Sequence, residues 1–377
     1  MKVAISARML KAFPDDGISR FTNEVVKRII KNNPGHRFAL IFDREQEGVT
    51  IFSPNTEQYL LKPAARHPLQ WYIWHEWQLP GLLKKTGADI FLSPDGILSL
   101  RSGVPSIAVI HDLNFYHRPY DIPKHISLYY RYFFRKFAQK AVRIITVSDF
   151  CKRDISSCLK IDPGLIDIAY NGVSEYFTPA EIHVTDKFRK ELTGGNPYFL
   201  FVGRFSPRKN IAGVINGYNR FRGSTDLRHK LVLTGRKLFL NRKTDSIIRS
   251  SPWSGDIILT GPRHDEELRL LYASATALVF VSWFEGFGIP AAEAMRCGTP
   301  VILSNTTSLP EVGGEAALYS DPGDIEEICL AMVKIATDGD LRQSLAMKGE
   351  TESKKFTWDK TAEIVWQSIE KAAGIRK

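Results

Sequence analysis

The stretch ALVFVSWFEGFGIPAAEAMRCGTPVILS, residues 277–304, carries the unit on which the fold turns. Its apolar run Ala277 to Val281 reads as a strand, two glycines interrupt the segment after it, and a second apolar run, Val301 to Ser304, closes it. Between them Pro290 suits the first position of a helix and Gly298 a helix stop. Strand, turn, helix, strand is the repeating element of a parallel sheet. Gly286 and Gly288 remove side chains from the strand-to-helix turn, so backbone amides can approach an anion at the start of the helix. Glu285 and Glu293 stand eight positions apart, one before the turn and one inside the helix, where carboxylates can accept the hydroxyls of a sugar or ribose. A plainer reading has Glu293 complementing the helix dipole and Glu285 capping an amide.

The same alternation extends to both sides. Upstream in the second half it predicts strands at Tyr198 to Val202, Leu231 to Thr234 and Ile257 to Thr260, and downstream at Ala317 to Tyr319. In the first half it predicts Val3 to Ala7, Phe38 to Phe42, Ile90 to Ser93, Ser106 to Ile110, Ile144 to Val147 and Asp167 to Tyr170. Residues 174 to 197, with Pro179, Gly194, Gly195 and Pro197, read as a linker between the two series. At 377 residues the chain is long enough for two cores. The expectation is therefore an α/β protein of two facing Rossmann-like domains, 1–180 and 181–355, with a ligand cleft between them at the carboxyl ends of the strands. Residues 356–377 form a last helix expected to pack back on the first domain.

Composition excludes several classes. There is no low-complexity tract and no run of about 18 apolar residues, which argues against disorder and against a spanning helix. The short, charged N-terminus is wrong for a secretory signal, and Cys151, Cys158, Cys297 and Cys329 are scattered without CxxC pairing, so a reducing cytoplasm fits and neither a zinc site nor a disulfide framework is indicated. A net charge of +10 favours anionic company. Part of it sits in KHISLYYRYFFRKFAQKAVR, residues 124–143, where basic and aromatic residues interleave without an acid, and the region of Trp71, Trp74 and Trp77 is similar. Such helices either lie in a membrane interface or bury their aromatics in a core beneath a solvated basic face.

In its length and context, EGFGIPAAEAMRCGTPVI resembles glycosyltransferase family 4, whose members share the GT-B fold and a Glu-x(7)-Glu motif at this place. The resemblance implies that Glu285 contacts the transferred sugar and that Glu293 binds the nucleotide ribose, with Gly286, Phe287, Gly288 and Ile289 lining the donor. Phe201-Val-Gly203-Arg204-Phe-Ser-Pro-Arg208-Lys209-Asn210 is also similar, and implies that Arg204 and Lys209 hold the donor diphosphate beside Gly203, with Arg208 as a third cation. Arginine can fork two phosphate oxygens and lysine adds a mobile point charge.

Gly235, and Gly261 with Pro262 and Arg263, end two strands at one sheet edge, and the segment from Gly261 to His264 is implied to run beside the nucleobase. In the first half, Asp15-Asp16-Gly17-Ile18-Ser19-Arg20 precedes a helix where family members often carry a glycine pair; here Gly17 is assigned to the donor and Arg20 to the acceptor. His111 matches a family histidine that lies against the transferred sugar, whereas a lone strand-end histidine is otherwise structural. Asn171, after the last strand of that half, is assigned to the acceptor, and Ser148 is read as shaping the cleft.

The expected activity is retaining, metal-independent hexosyl transfer, with catalysis by Glu285, His111, Arg204 and Lys209. No cofactor is expected beyond the nucleotide sugar as co-substrate, and a divalent metal is expected to be dispensable. The likeness to bacterial enzymes of surface-polysaccharide assembly points to mannose from GDP-mannose, with UDP-glucose the alternative, and to a glycan or lipid-linked acceptor. Expected partners include an anionic membrane at the inner face of the cytoplasmic membrane and exclude nucleic acid, for which no motif appears. The rival readings are a different reaction on the same fold and a basic, non-catalytic binding protein.

Overall fold

The computed structural model describes residues 1–12, 16–45, 53–65, 67–236 and 242–374; Asp15 lies outside them. The chain divides into two compact units, residues 1–172 with 357–377, and residues 173–356.

The first unit holds a parallel sheet of seven strands: β1 (Lys2–Ser6), β2 (Arg37–Phe42), β3 (Thr56–Leu60), β4 (Ile90–Ser93), β5 (Ser106–Val109), β6 (Arg143–Thr146) and β7 (Ile166–Ile168). Their order is β3-β2-β1-β4-β5-β6-β7, so the winding reverses between β1 and β4. Strand β3 is an addition to the sequence expectation. Its residues TEQYL alternate between exposed and half-buried, because an edge strand needs no continuous apolar run. The helix Trp358–Ala372 belongs to this unit: it packs on the helix Gly17–Asn32 and buries Trp358, Ala362, Val365 and Ile369.

The second unit holds six parallel strands: β8 (Tyr198–Val202), β9 (Lys230–Thr234), β10 (Ile257–Gly261), β11 (Ala277–Phe280), β12 (Val301–Ser304) and β13 (Ala317–Ser320). The order β10-β9-β8-β11-β12-β13 reverses between β8 and β11. Strands β8, β11 and β12 are buried along their whole length, as expected of central parallel strands covered on both faces. The region read as a linker contains a helix, Ile182–Thr193, ended by Gly194 in the left-handed conformation. The glycines that suggested a linker are its C-terminal stop.

The basic, aromatic segment forms the helix Lys124–Lys140, and the two readings of it divide by residue. Tyr129, Phe134 and Phe137 are core, whereas Leu128, Arg131, Tyr132 and Arg135 are exposed. Trp71 and Trp74 are buried, and Trp74 donates to the Leu61 carbonyl at 2.8 Å. Trp77 is exposed, with the Arg101 guanidinium 4.3 Å from its ring centroid. Arg143 is taken up by Asp167, at 2.7 Å.

Two buried histidines make stability depend on pH. Burial, reinforced by nearby arginines, pushes His75 down to about 3 and His229 down to about 4 from an ordinary 6.5. Both folded values are depressed, so the unfolded chain takes up protons first. The stabilisation is present above pH 6.5, erodes as pH falls below it, and is spent by about pH 4 for His229 and about pH 3 for His75. Each histidine contributes a slope of about 1.4 kcal/mol per pH unit within its window. Asp43 and Asp167 are held below their ordinary carboxylate value by arginines, so their losses begin only in stronger acid. The midpoint of denaturant unfolding should therefore fall steadily between pH 6.5 and pH 4.5; a flat profile there would contradict neutral, buried rings.

Candidate functional site

In open parallel sheets, ligands bind beyond the carboxyl ends of the strands where the winding reverses. In the second unit that point lies between β8 and β11, and both sequence motifs converge on it. Past β8, Pro207–Lys209 form one turn of 3-10 helix. Asn210 follows with φ of 52° and caps the helix Ile211–Ser224, its Oδ1 accepting from the Gly213 amide at 3.3 Å. Its Nδ2 donates to the carbonyls of Val281 (3.0 Å) and Pro322 (2.7 Å), and the Trp283 amide donates to the Arg208 carbonyl at 2.8 Å. The segments after β8, β11 and β13 are thereby stitched together.

This stitching presents Lys209 to Glu285. Lys209 Nζ donates to Glu285 Oε1 at 2.6 Å, the two side chains being 10% and 5% exposed. Lys209 Nζ also lies 4.6 Å from the centre of the Phe280 ring, and Arg208 Nη1 stands 3.9 Å from Glu285 Oε2. The backbone of Glu285 is held from β12's side: its amide donates to Thr307 Oγ1 at 3.2 Å and its carbonyl accepts from Ser308 Oγ at 3.0 Å. A buried lysine–carboxylate pair of this kind is a preorganised charge pair, costly to desolvate and held in fixed geometry.

The glycine turn delivers the helix Ile289–Arg296, with Pro290 in its first turn. Gly288 has φ of 97°, and a Cβ there would come within 2.5 Å of Leu309 Cδ2. The Phe287 ring is buried against Phe356, 5.1 Å between centroids, so this position offers a ligand its backbone. Glu293 is buried within the helix and accepts from the Tyr272 hydroxyl at 2.9 Å.

Next along the sheet, the Gly203 amide donates to the Thr234 carbonyl and the Gly235 amide to the Gly261 carbonyl, at 2.9 and 3.0 Å. Gly203, Gly235 and Gly261 thus form a row at the ends of three adjacent strands, bare of side chains. Arg204 is half-buried beside Gly203, and Arg263 pairs with Glu267 at the exposed start of the next helix, at 2.7 Å.

In the first unit, His111 follows β5 and its Nε2 hydrogen donates to the Pro94 carbonyl, 2.9 Å, in the segment after β4. That fixes the tautomer and leaves Nδ1 as the acceptor. Phe21 meets the ring edge-on at 5.0 Å, and burial holds the imidazole below its usual range, hence neutral at pH 7. Asp16 caps the helix that Gly17 opens, accepting from the Ser19 amide at 2.8 Å. Arg20 is in that first turn, half-buried. Ser148 caps the helix Asp149–Leu159. The Asn171 side chain is buried beyond β7, and its Oδ1 has no hydrogen-bond partner among the described residues.

Sequence reasoning missed Tyr272, which lies 21 positions from Glu293 and carries no motif. It also missed the charges at the winding reversal of the first sheet. There Arg8, past β1, donates to Asp95 past β4 at 3.0 Å and stands 3.8 Å from Asp43 past β2. Nothing local signals a contact across 87 residues. Tyr272→Phe removes a donor from a buried carboxylate and should cost about 1–3 kcal/mol in denaturant unfolding. An unchanged midpoint would show that the hydroxyl carries no such load.

Residues 184–352 match the family described as Glycosyl transferases group 1, and residues 16–175 match Glycosyltransferase Family 4. The chain is 29% identical over 373 residues to the O-antigen chain mannosyltransferase B of Escherichia coli, covering 95% of this chain and 97% of that one. It is 28% identical over 275 residues to the O-antigen chain mannosyltransferase RfbU of Salmonella typhimurium strain LT2, covering 72% of each. Among solved structures, the sucrose-phosphate synthase of Thermosynechococcus elongatus superposes with a TM-score of 0.80 over 100% of both chains at 17% identity, a likeness of fold. With one match on each unit and two parallel α/β sheets of the GT-B type, the chain belongs to glycosyltransferase family 4 and is a glycosyltransferase.

Proposed function

We propose that this glycosyltransferase moves mannose from GDP-mannose to a hydroxyl of a glycan or lipid-linked acceptor, with retained anomeric configuration and without a metal or cofactor. The observation that carries the reading is the buried Lys209–Glu285 pair at the winding reversal of the second sheet, beside the Gly203–Gly235–Gly261 row. Departure of a nucleoside diphosphate builds negative charge, which fixed cations and a helix start stabilise more in the transition state than in the ground state. Lys209, Arg204 and the amides of Gly286 to Ile289 would supply that, with Arg208 as a further cation. Glu285 would grip hydroxyls of the transferred sugar and Glu293 those of the ribose, while Gly261, Pro262 and Arg263 border the base. Neutral His111 would accept a hydrogen bond from the sugar at Nδ1, and Gly17, Arg20 and Asn171 would serve the phosphate and the acceptor. Attack on the face the diphosphate leaves, its oxygen taking the acceptor's proton, requires no covalent enzyme intermediate and no second carboxylate across the anomeric carbon.

The sugar rests on likeness to the two O-antigen mannosyltransferases. Thermal shifts against a panel of nucleotide sugars test it, since a ligand that binds only the folded state raises Tm. GDP-mannose should give the largest shift, and NMR of the product should show the donor's anomeric configuration in the presence of EDTA. A larger shift with UDP-glucose, an inverted product, or activity lost to EDTA and restored by manganese would each overturn the corresponding part.

Peripheral contact with an anionic membrane belongs to the same reading. It is supported by exposed Leu128 and Tyr132 beside Arg131 and Arg135, and by exposed Trp77. No helix among the described residues is long and apolar enough to cross a membrane. Flotation with anionic but not with neutral liposomes is the expected result; no flotation with either would remove the membrane partner.

A further inference from the structure

Apart from the sheet edge, the first unit brings together three side chains that no motif connects. His117 ends the short helix Asn114–His117, while Asp154 and Cys158 lie four positions apart on one side of the helix Asp149–Leu159. His117 Nε2 is 2.7 Å from Asp154 Oδ1, Cys158 Sγ is 3.3 Å from that oxygen and 3.9 Å from the imidazole nitrogen. The Asp154 side chain is only 9% exposed, and its Oδ2 is buried with no hydrogen-bond partner among the described residues. Spacing along the chain could not reveal the cluster, because His117 is 41 residues from Cys158.

We propose that His117, Asp154 and Cys158 form a zinc site. Imidazole, carboxylate and thiolate together are a donor set that zinc favours. In tetrahedral coordination the nitrogen–oxygen edge is about 3.3 Å and the edges to sulfur about 3.6 Å, given zinc–ligand bonds of about 2.0–2.3 Å. The three distances present differ from these by about 0.6 Å or less, an adjustment within reach of side-chain rotation. His117 and Cys158 are accessible enough to admit an ion, and water completes the fourth position. On binding, the Cys158 thiol gives up its proton to solvent and the His117 ring carries its N–H at Nδ1, which leaves the Nε2 lone pair for the metal. Bonds from Nε2, an Asp154 oxygen and Sγ then form to the metal. One thiolate and one carboxylate cancel the charge of the dication, so the site carries no net charge when filled.

The role assigned is structural. Helix Asp149–Leu159 already touches the His111 segment near its start, where Cys151 Sγ donates to the His111 carbonyl at 3.3 Å. Zinc at the far end fastens the same helix to the end of that segment, so that residues 111–117 are held at both ends. The site is separate from the groups proposed for transfer, and its loss should leave transfer running.

The test uses the full chain freed of metal with a chelator, titrated calorimetrically with zinc chloride and, in parallel, with cobalt(II) chloride followed by absorbance. One zinc should bind, with a heat that varies with buffer in proportion to one released proton, and Tm should rise by a few degrees at saturation. Cobalt should give a thiolate charge-transfer band and the strong visible absorption of a tetrahedral ion. Cys158→Ser should keep the Tm of the metal-free parent but lose the charge-transfer band and at least tenfold in affinity, and Asp154→Asn should also weaken binding. Absence of saturable binding, or binding and spectra unchanged in Cys158→Ser, overturns the proposal, the latter by placing the metal elsewhere.

Discussion

Replacing Lys209 with methionine is expected to lower kcat/KM by about 100- to 1000-fold, the range seen when one fixed charge-stabilising group is taken from a transition state. Methionine keeps the unbranched apolar stem and removes the ammonium that lies 2.6 Å from Glu285 Oε1 and 4.6 Å from the Phe280 ring centre. Because both partners are buried, the single substitution also strands a carboxylate, and loss of one member of such a pair typically costs about 3–5 kcal/mol. Lost stability could be mistaken for lost chemistry. The double variant Lys209→Met with Glu285→Gln separates the two: it removes both charges and should recover most of the stability while leaving transfer as low as in the single variants. Turnover restored alongside stability would show that the pair serves the fold alone.

Gly235→Ala should be at least as damaging through a different physical cause. At this residue φ is 142°, and a Cβ would come within 2.0 Å of the Gly203 carbonyl oxygen and 2.7 Å of its carbon. Those atoms are backbone and belong to the end of β8, so relief requires separating two central strands or abandoning the hydrogen bonds Gly203–Thr234 and Gly235–Gly261. Overpacking a well-packed interior costs about 1–3 kcal/mol even when side chains can move, and here only main chain is available to move. The expected result is a large drop in Tm together with weakened nucleotide-sugar binding. Gly255→Ala is the control, since a Cβ added there meets nothing within 4 Å and φ is not positive. Equal Tm values for the two variants would refute the close-approach argument.

The residues 277–304 determined much of this protein locally. Apolar runs, two glycines and a proline specify strand, turn and helix over a few residues each, and their repetition specifies parallel sheets in two series. The acidic pair and the Arg204–Lys209 segment stood out as candidate chemistry for the same reason, because each is a short motif tied to one strand end. Strand β3 escaped because an edge strand takes its place by hydrogen bonding to β2 rather than by burial, so its sequence has no strong pattern. The helix Ile182–Thr193 escaped because its stop signal was more visible than its amphipathic body.

Only tertiary structure decided which charges meet. The sheet order placed the ends of β8 and β11 side by side and so joined Lys209 to Glu285 across 76 positions. It likewise brought Tyr272 to Glu293, Arg8 to Asp95 and His117 to Cys158. Backbone preference and hydrophobic period act over one turn or one strand, and a sequence records them directly. Pairing between distant side chains depends on strand order and on which end of each strand a loop leaves, and those arise only when the whole sheet has assembled.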